Sequence, residues 1–231
     1  MEPIKDISNI TALVAVKGDS DRVPKKNIRK FSSSSLLEIK LQQLKESNVF
    51  QEILVSSESD EVLSKVLPFD VSIHKRDPFY STSLVPMSDV YEYLAQQVKT
   101  DYIAWIPVTS PLVNEKIYRD AVDTFLTMDH NKYDSLLSVN DVQEYLYYNN
   151  KPINFTRDPW LRSQDLKGVC AINFAINIIS KENMIKNRAT LGQKPKFFNI
   201  PKKNAIDIDY MEDFIFAELL FKQLKVENNE S

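Results

Sequence analysis

The chain has 231 residues, 43% hydrophobic and 26% charged, with a formal net charge of −3. That is enough apolar material for one large domain, alone or with a small appendage, and it excludes a disordered chain; near-neutrality excludes a general nucleic-acid binder, so a basic site must be local. The one cysteine, Cys170, excludes an intrachain disulfide and a cysteine zinc site and reads as a small buried hydrophobe; with no signal-peptide core at Met1–Asp6 and no membrane-length apolar run, a reducing cytoplasm is expected.

In chain order, Thr11–Val16 is an uninterrupted apolar run and predicts a buried strand. A basic loop, Lys17 to Asn27, follows it. Leu36–Ser47 has helical spacing, with Leu37, Leu41 and Leu44 on one face and Lys40, Gln43 and Glu46 off it. Glu52–Ser57 predicts the next strand, and Ser57 or Ser59 is placed to cap the helix carrying Val62, Leu63 and Val66. Val71–Ile73 is a short third strand, Met87–Val98 a helix, and Tyr102–Ile106 a central strand ended by Pro107. Asn114–Met128 is a helix and Asp134–Val139 a strand, and Ala171–Ile179 reads as a buried strand. Ile206–Asp209 is a short strand or strand end, Met211–Leu224 a final amphipathic helix, and Val226–Ser231 a frayed tail.

Repeated β-α-β units predict an α/β fold: a mostly parallel, doubly wound (Rossmann-like) sheet with helices on both faces. The tyrosine- and proline-rich stretch Asp141–Gly168 breaks the pattern. It divides an α/β domain (residues 1–140 and 169–231) by an inserted hairpin and arm, which either packs on a second subunit or is a long surface excursion of the same monomer.

In such sheets ligands bind outside the carboxyl ends of the strands. The basic loop lies at one such end. Lys17, Arg22 and Lys26 can neutralise a triphosphate, Ser20 and the Gly18 amide can donate to it, and Gly18 permits close backbone approach. A solvated basic turn is the plainer reading. Asp19 and Asp21 put negative charge in the same loop, so they point away or help hold a metal. Arg76 follows the third strand and Thr109–Ser110 the central one, in reach of a phosphate, base or ribose if they are more than surface residues and a simple turn. Alternation in Asp207-Ile208-Asp209 puts two carboxylates on one face and Ile208 in the core. The pair either shares an oxygen-ligated metal with substrate phosphates or caps the last helix through Asp209. Arg162 and Gln164 in the arm suit a carboxylate-bearing small molecule, or an interfacial ion pair.

Taken in order, these motifs resemble the acylneuraminate cytidylyltransferase family: Lys17-Gly18-Asp19-Ser20-Asp21-Arg22-Val23-Pro24-Lys25-Lys26-Asn27 as its phosphate loop, Phe50–Asp60, Arg76-Asp77-Pro78, Thr109-Ser110-Pro111-Leu112, Arg162-Ser163-Gln164-Asp165-Leu166 and Ala205-Ile206-Asp207-Ile208-Asp209. The resemblance covers nearly the whole chain. It implies attack by an acidic-sugar hydroxyl on the α-phosphorus of CTP, with release of pyrophosphate, for surface polysaccharide or glycoconjugate synthesis. It implies that Lys17 and Lys26 hold the triphosphate, that Asn27 and Arg76 help fix the nucleotide, that Asp207 and Asp209 hold magnesium, that Asp209 or a water takes the acceptor proton, and that Arg162, Gln164 and Asn173 meet the acceptor. It implies a homodimer with an arm reaching across, and no nucleic-acid or membrane partner. The chain departs from the family pattern at Lys17, Asp21, Pro107, Val113, Asn177 and Asn173-Phe174-Ala175, the last in place of N-G-A. The nucleotide half matches more fully than the acceptor half, which implies an acceptor other than ordinary sialic acid. A nucleotidyltransferase using another nucleotide or acceptor, and a non-catalytic nucleotide-binding homologue, are the competing readings.

Overall fold

The computed structural model describes residues 9–229; Met1–Asp6 lies outside them. The first strand, β1 (Ile10–Ala15), alternates its side chains between two cores as a pleated strand must. Ile10, Ala12 and Val14 join one apolar cluster and Leu13 the other. Thr11, on the second face, is buried with its hydroxyl 2.8 Å from that of Thr100.

A short hairpin, β2 (Lys30–Phe31) and β3 (Ser34–Ser35), leads into helix α1 (Leu36–Ser47). The serine run that sequence alone leaves without structure thus makes a turn, with Ser32 at φ 57°, and a cap. Ser35 Oγ accepts from Glu38 N–H and donates to its carboxylate, so the two residues close the helix start reciprocally. Strands β4 (Glu52–Ser57), β5 (Ser72–Lys75) and β6 (Tyr102–Trp105) follow, linked by α2 (Asp60–Val66), which Ser59 caps, and α3 (Met87–Gln97). Then come α4 (Glu115–Thr127), β7 (Ser135–Asp141), β10 (Cys170–Ser180), α5 (Lys181–Asn187), β11 (Pro195–Asn199) and α6 (Met211–Asn229), with the small hairpin β8 (Tyr147–Tyr148) and β9 (Lys151–Pro152) between β7 and β10.

The main sheet has seven strands in the order β11-β7-β10-β6-β1-β4-β5. Among the described residues β10 alone runs against the rest, pairing antiparallel with β6 and β7. Side chains of α1, α2, α4 and α6 pack on one face and those of α3 and α5 on the other, as a doubly wound sheet requires. The chain leaves β1 toward β4 on one side and returns to β6 on the other. The sheet order therefore reverses at β1/β6, where the loops leaving two adjacent strands diverge and open a crevice.

Several expectations are corrected. Residues 206–209 form no strand; they are extended loop, because no free sheet edge lies beside them and Ile208 instead donates its N–H to the Thr109 carbonyl. Strand β11 and helix α5 were not predicted, the first because Lys196 and Asn199 leave only Phe197-Phe198 as an apolar run. Helix α6 continues through the supposed tail to Asn229. Cys170 is half-buried at a strand end, not a core residue.

The excursion between β7 and β10 does hold a hairpin, turned by Asn149 and Asn150 at φ 48° and 61°, the two positive angles a tight two-residue turn demands. Tyr145, Tyr147, Phe155 and Trp160 form its own ring cluster, with centroids 5.2–5.5 Å apart.

The largest departure is in α1. Lys40 and Gln43, read off the apolar face, are both buried. Lys40 Nζ donates to the Ser110 carbonyl at 2.8 Å and to the Tyr118 hydroxyl at 2.5 Å. Gln43 Nε2 donates to the Pro111 carbonyl, and Asn204 Nδ2 to that of Leu112, at 2.8 and 2.7 Å. Three buried side chains thus hold consecutive carbonyls of the loop leaving β6. Burial, with no carboxylate in contact, lowers the Lys40 ammonium to about 7.

The unfolded chain keeps that proton to about 10.5, so between pH 7 and 10.5 the unfolded state binds more protons and stability must rise with pH. Urea unfolding of wild type and Lys40→Met, compared from pH 7 to 9.5, should show wild type gaining on the variant as pH rises. Parallel profiles would mean that Lys40 stays charged in the fold.

Candidate active site at the sheet crossover

The loop leaving β1 is braced from within. Asp19 Oδ1 accepts from the N–H groups of Ser20 and Lys25, at 2.8 and 3.2 Å, and these bonds hold its carboxyl below the usual range. The awkward Asp19 charge is therefore committed to closing the loop. Lys25 turns the chain at φ 52° and pairs with Glu61 at 2.8 Å. Asn27, buried, donates Nδ2 to the Lys17 carbonyl at 2.9 Å. Lys17 itself is exposed, and Ser20 is half-buried.

Two contacts join this loop to the far end of the sequence. Lys26, 8% exposed, donates Nζ to the Ile208 carbonyl at 2.5 Å. Arg22 pairs with Asp209 at 2.6 Å and lies over the Tyr210 ring, 5.1 Å from its centroid. The 207–209 segment is fixed on its other side by Ile208 N–H on the Thr109 carbonyl, 3.0 Å. The loops leaving β1 and β6 thus grip one extended segment and hold Asp207 and Asp209 between them. Burial lowers the Lys26 ammonium, opposed by the charges of Asp207 and Asp209. Loss of water around the Asp207 carboxyl raises it although the residue as a whole is exposed; Asp209 adds repulsion, and a hydrogen bond from the Thr109 hydroxyl acts the other way. Two neighbouring carboxylates, one held above its ordinary range, suit a hard cation that needs only one or two protein oxygens and shares the rest with water and phosphate, as magnesium does. Among the described residues no cluster of three or more His, Cys, Asp and Glu forms a full protein cage.

Other expected site residues sit differently. The Gly18 amide, expected to face a phosphate, donates to Glu58 Oε1 at 2.7 Å. Gly18 is needed for close approach, but to the β4 end: an added Cβ would lie 2.6 Å from Ser59 Cβ. Arg76 is buried and donates to the Val16 and Ser56 carbonyls and to Ser56 Oγ, so it ties the ends of β1 and β4 together. Ser110 is buried and its hydroxyl has no partner. Asp209 does not cap α6; Asp213 does, accepting from the Asp209 and Tyr210 N–H groups at 3.1 and 2.8 Å. Arg162 pairs with Asp165 three residues on, and the Gln164 carbonyl accepts from Gln143, both within the excursion. Asn173 is buried in β10, its Oδ1 bound by Ala175 N–H and its Nδ2 unpaired.

Sequence reasoning missed Glu58, Lys40, Gln43, Asn204 and Asp213. Burial acts to raise Glu58, but the Gly18 N–H, its own N–H and the Ser81 hydroxyl outweigh it and hold the carboxyl below its usual range. The available signal for Asp213 was an acid four residues after Asp209 at a helix start; for the buried polar residues of α1 there was none.

A family described as Cytidylyltransferase matches residues 11–229. The N-acylneuraminate cytidylyltransferase A of Danio rerio is 27% identical over 91% of this chain, which spans 50% of that protein's length. The pseudaminic acid cytidylyltransferase of Campylobacter jejuni is 25% identical over 91% of this chain and 95% of its own. Two solved structures share the fold. One is the CMP:2-keto-3-deoxy-manno-octonic acid synthetase complexed with CTP (TM-score 0.64, 12% identity, 93% of this chain and 99% of that one). The other is the 4-diphosphocytidyl-2C-methyl-D-erythritol synthase of Anaerococcus prevotii (TM-score 0.67, 13% identity, 94% and 100%).

Gly18→Ala should cost about 1–3 kcal/mol, because the colliding atom is a Cβ on the facing loop and cannot swing aside. Chemical denaturation reads this directly, and an unchanged midpoint would show that the loop is not pinned against the β4 end.

Proposed function

The chain belongs to the cytidylyltransferase family, and on that premise we propose that it transfers CMP from CTP to a hydroxyl of an acidic sugar of the sialic- or nonulosonic-acid kind, releasing pyrophosphate. The observation that carries this reading is the meeting of Lys26 and Arg22 with the 207–209 segment, contacts that span more than 180 residues of sequence. A polyphosphate needs cations and, through a bridging metal, carboxylates within one crevice, and this crevice offers both at the point where the sheet order reverses.

The acceptor hydroxyl oxygen forms a bond to the α-phosphorus as the bond from that phosphorus to the bridging oxygen breaks. Pyrophosphate leaves with that electron pair, and the hydroxyl proton passes to Asp209 or to water. Exposed Lys17 and Arg22 reach for the triphosphate while Lys26 holds its floor; Ser20 and Thr109 supply hydroxyls. Gly18, Asn27 and Arg76 act by fixing the backbone under the nucleotide, since their polar groups are engaged within the protein. Asp207 and Asp209 are the residues that would hold magnesium, which supplies charge neutralisation at the transferred phosphoryl group and the departing pyrophosphate. The protein's share is orientation and fixed charge.

Two further elements belong to the proposal. The excursion exposes Tyr147, Tyr148, Ile153 and Trp160 beside Arg157 and Arg162, a composition that fits a subunit interface, and a homodimer would bring Arg162 and Gln164 to a neighbour's acceptor. A CTP-consuming step belongs in the cytoplasm; among the described residues no helix is long and apolar enough to cross a membrane.

Asp209→Asn should lower pyrophosphate release from CTP by roughly a hundredfold or more and leave the unfolding midpoint within a degree or two, since its ion pair is half exposed. Wild-type turnover in that variant would remove the carboxylate from the reaction. Lys26→Ala should weaken CTP binding about tenfold or more in calorimetry; unchanged affinity would move the phosphate site elsewhere.

A further inference from the structure

Residues 173–176 interrupt β10. Ile172 pairs with Val139 of β7 and Asn177 with Leu137, so this stretch of β10 faces Ser138 alone. Ile176 N–H leaves the ladder for Ser138 Oγ, at 3.0 Å. Inside the bulge Phe174 takes φ 54°. That left-handed conformation is unfavourable for a side chain with a Cβ, more readily tolerated by Asn or Asp and free for Gly. The other positive-φ residues among those described are Lys, Ser, Asn, Asp, Arg and Gly; Phe174 is the aromatic among them. The residue stays 40% exposed, so the ring is not a core side chain. Neither local conformation nor burial explains a phenylalanine here, and an outlier of this kind beside a binding crevice points to a role for the side chain.

The bulge has a defined place. Asn177 pairs with Trp105, the last residue of β6. Residues N-terminal to it therefore run beyond the carboxyl end of β6, alongside the loop whose Thr109 carbonyl holds Ile208. Phe174 and the Asp207–Asp209 segment stand on the same rim of the sheet. In the same bulge, the buried Asn173 Nδ2 has no partner, a donor with an unmet bond.

We propose that Phe174 is a specificity-determining residue, forming an apolar wall on the acceptor side of the crevice and selecting acidic sugars that carry an acyl or methyl substituent over sugars that carry hydroxyls alone. This rests on the cytidylyltransferase reading above and narrows it. An aromatic face favours C–H and methyl groups, and it offers a hydroxyl no hydrogen bond to replace the water it gives up.

The test compares kcat/KM for N-acetylneuraminate and pseudaminic acid with that for 2-keto-3-deoxy-manno-octonic acid, which lacks an acyl group, using CTP and magnesium. Wild type should favour the acylated sugars. Phe174→Gly should lower that ratio about five- to tenfold, with KM for CTP unchanged and the thermal midpoint equal or higher because glycine accepts the backbone angle. Phe174→Tyr, which keeps the ring, should retain the ratio. A glycine variant with the wild-type ratio overturns the proposal, as does one whose activity on all three sugars falls in step with its stability. Wild-type enzyme that binds CTP yet turns over none of the three overturns the acceptor reading and this inference with it; turnover with unchanged selectivity overturns this inference alone.

Discussion

The bond from the buried Lys26 ammonium to the Ile208 carbonyl is the constraint on which the site depends. A lysine amine placed out of water must find acceptors or lose its charge, and here it has a main-chain oxygen in the segment that carries two carboxylates. The segment is not held by a sheet ladder. It is held by that bond, by the Ile208 N–H donated to the loop leaving β6, by Asp213 on the Asp209 N–H and by the Arg22–Asp209 pair. Without them, Asp207 and Asp209 would sit on a connection free to drift, so the position of both acids is set by the loops leaving β1 and β6 and by the start of α6. The β6 loop is fixed in turn from below, by Lys40, Gln43 and Asn204 on three successive carbonyls. The result is a relay of buried polar contacts from α1, through the loop, to the acidic segment.

What the sequence shows and what it hides follow from which forces are local. Strands β1, β4 and β6 were readable because apolar runs bounded by polar loops have one good solution, burial in a sheet core. The cap at Ser59 was readable as one of two candidates, since a cap needs only its next three residues; the cap at Ser35 was not read. The convergence of the Lys17–Asn27 loop with Asp207 and Asp209 was legible as ordered motifs, and the side chains do meet. Their partners were not legible. Arg22 is on Asp209, the Gly18 amide is on Glu58, and Arg76 is turned inward to main-chain carbonyls. A motif gives residue types in order; it does not say which acceptor wins when several lie within reach. Lys40 shows the limit more sharply. Helical periodicity assigns a lysine to water, and only the tertiary structure reveals a pocket with a carbonyl and a phenol oriented to take the amine.

Five buried side-chain atoms among the described residues lack a hydrogen-bond partner; two are Gln43 Oε1 in α1 and His130 Nε2 in the turn before β7. The other three, Ser110 Oγ, Asn173 Nδ2 and Asn177 Oδ1, lie in the loop leaving β6 or in β10 where it passes that strand's end. Phe174 adds an unfavourable backbone angle to the same neighbourhood. A fold selected for stability alone would pair such groups or replace them, since each unmet donor or acceptor costs on the order of 1–3 kcal/mol. Three such groups and a strained backbone angle around the end of β6 mark that part of the rim as a place where the chain is committed to something other than folding.

The two contacts between the basic loop and the acidic segment differ in kind, and the difference bears on mechanism. The Arg22–Asp209 pair is half exposed on both sides, and such pairs contribute about 0–1 kcal/mol because water competes for each partner. An arriving polyphosphate offers the guanidinium several oxygens at once, so exchanging Asp209 for phosphate is downhill and releases the carboxylate. The Lys26 bond has no such freedom: it is buried, and breaking it strands a carbonyl and an amine away from water. One contact therefore acts as a fixed post and the other as an exchangeable latch. On the proposed reading this arrangement keeps Asp209 occupied until the nucleotide arrives, then frees it in place, with no movement of the segment that carries it.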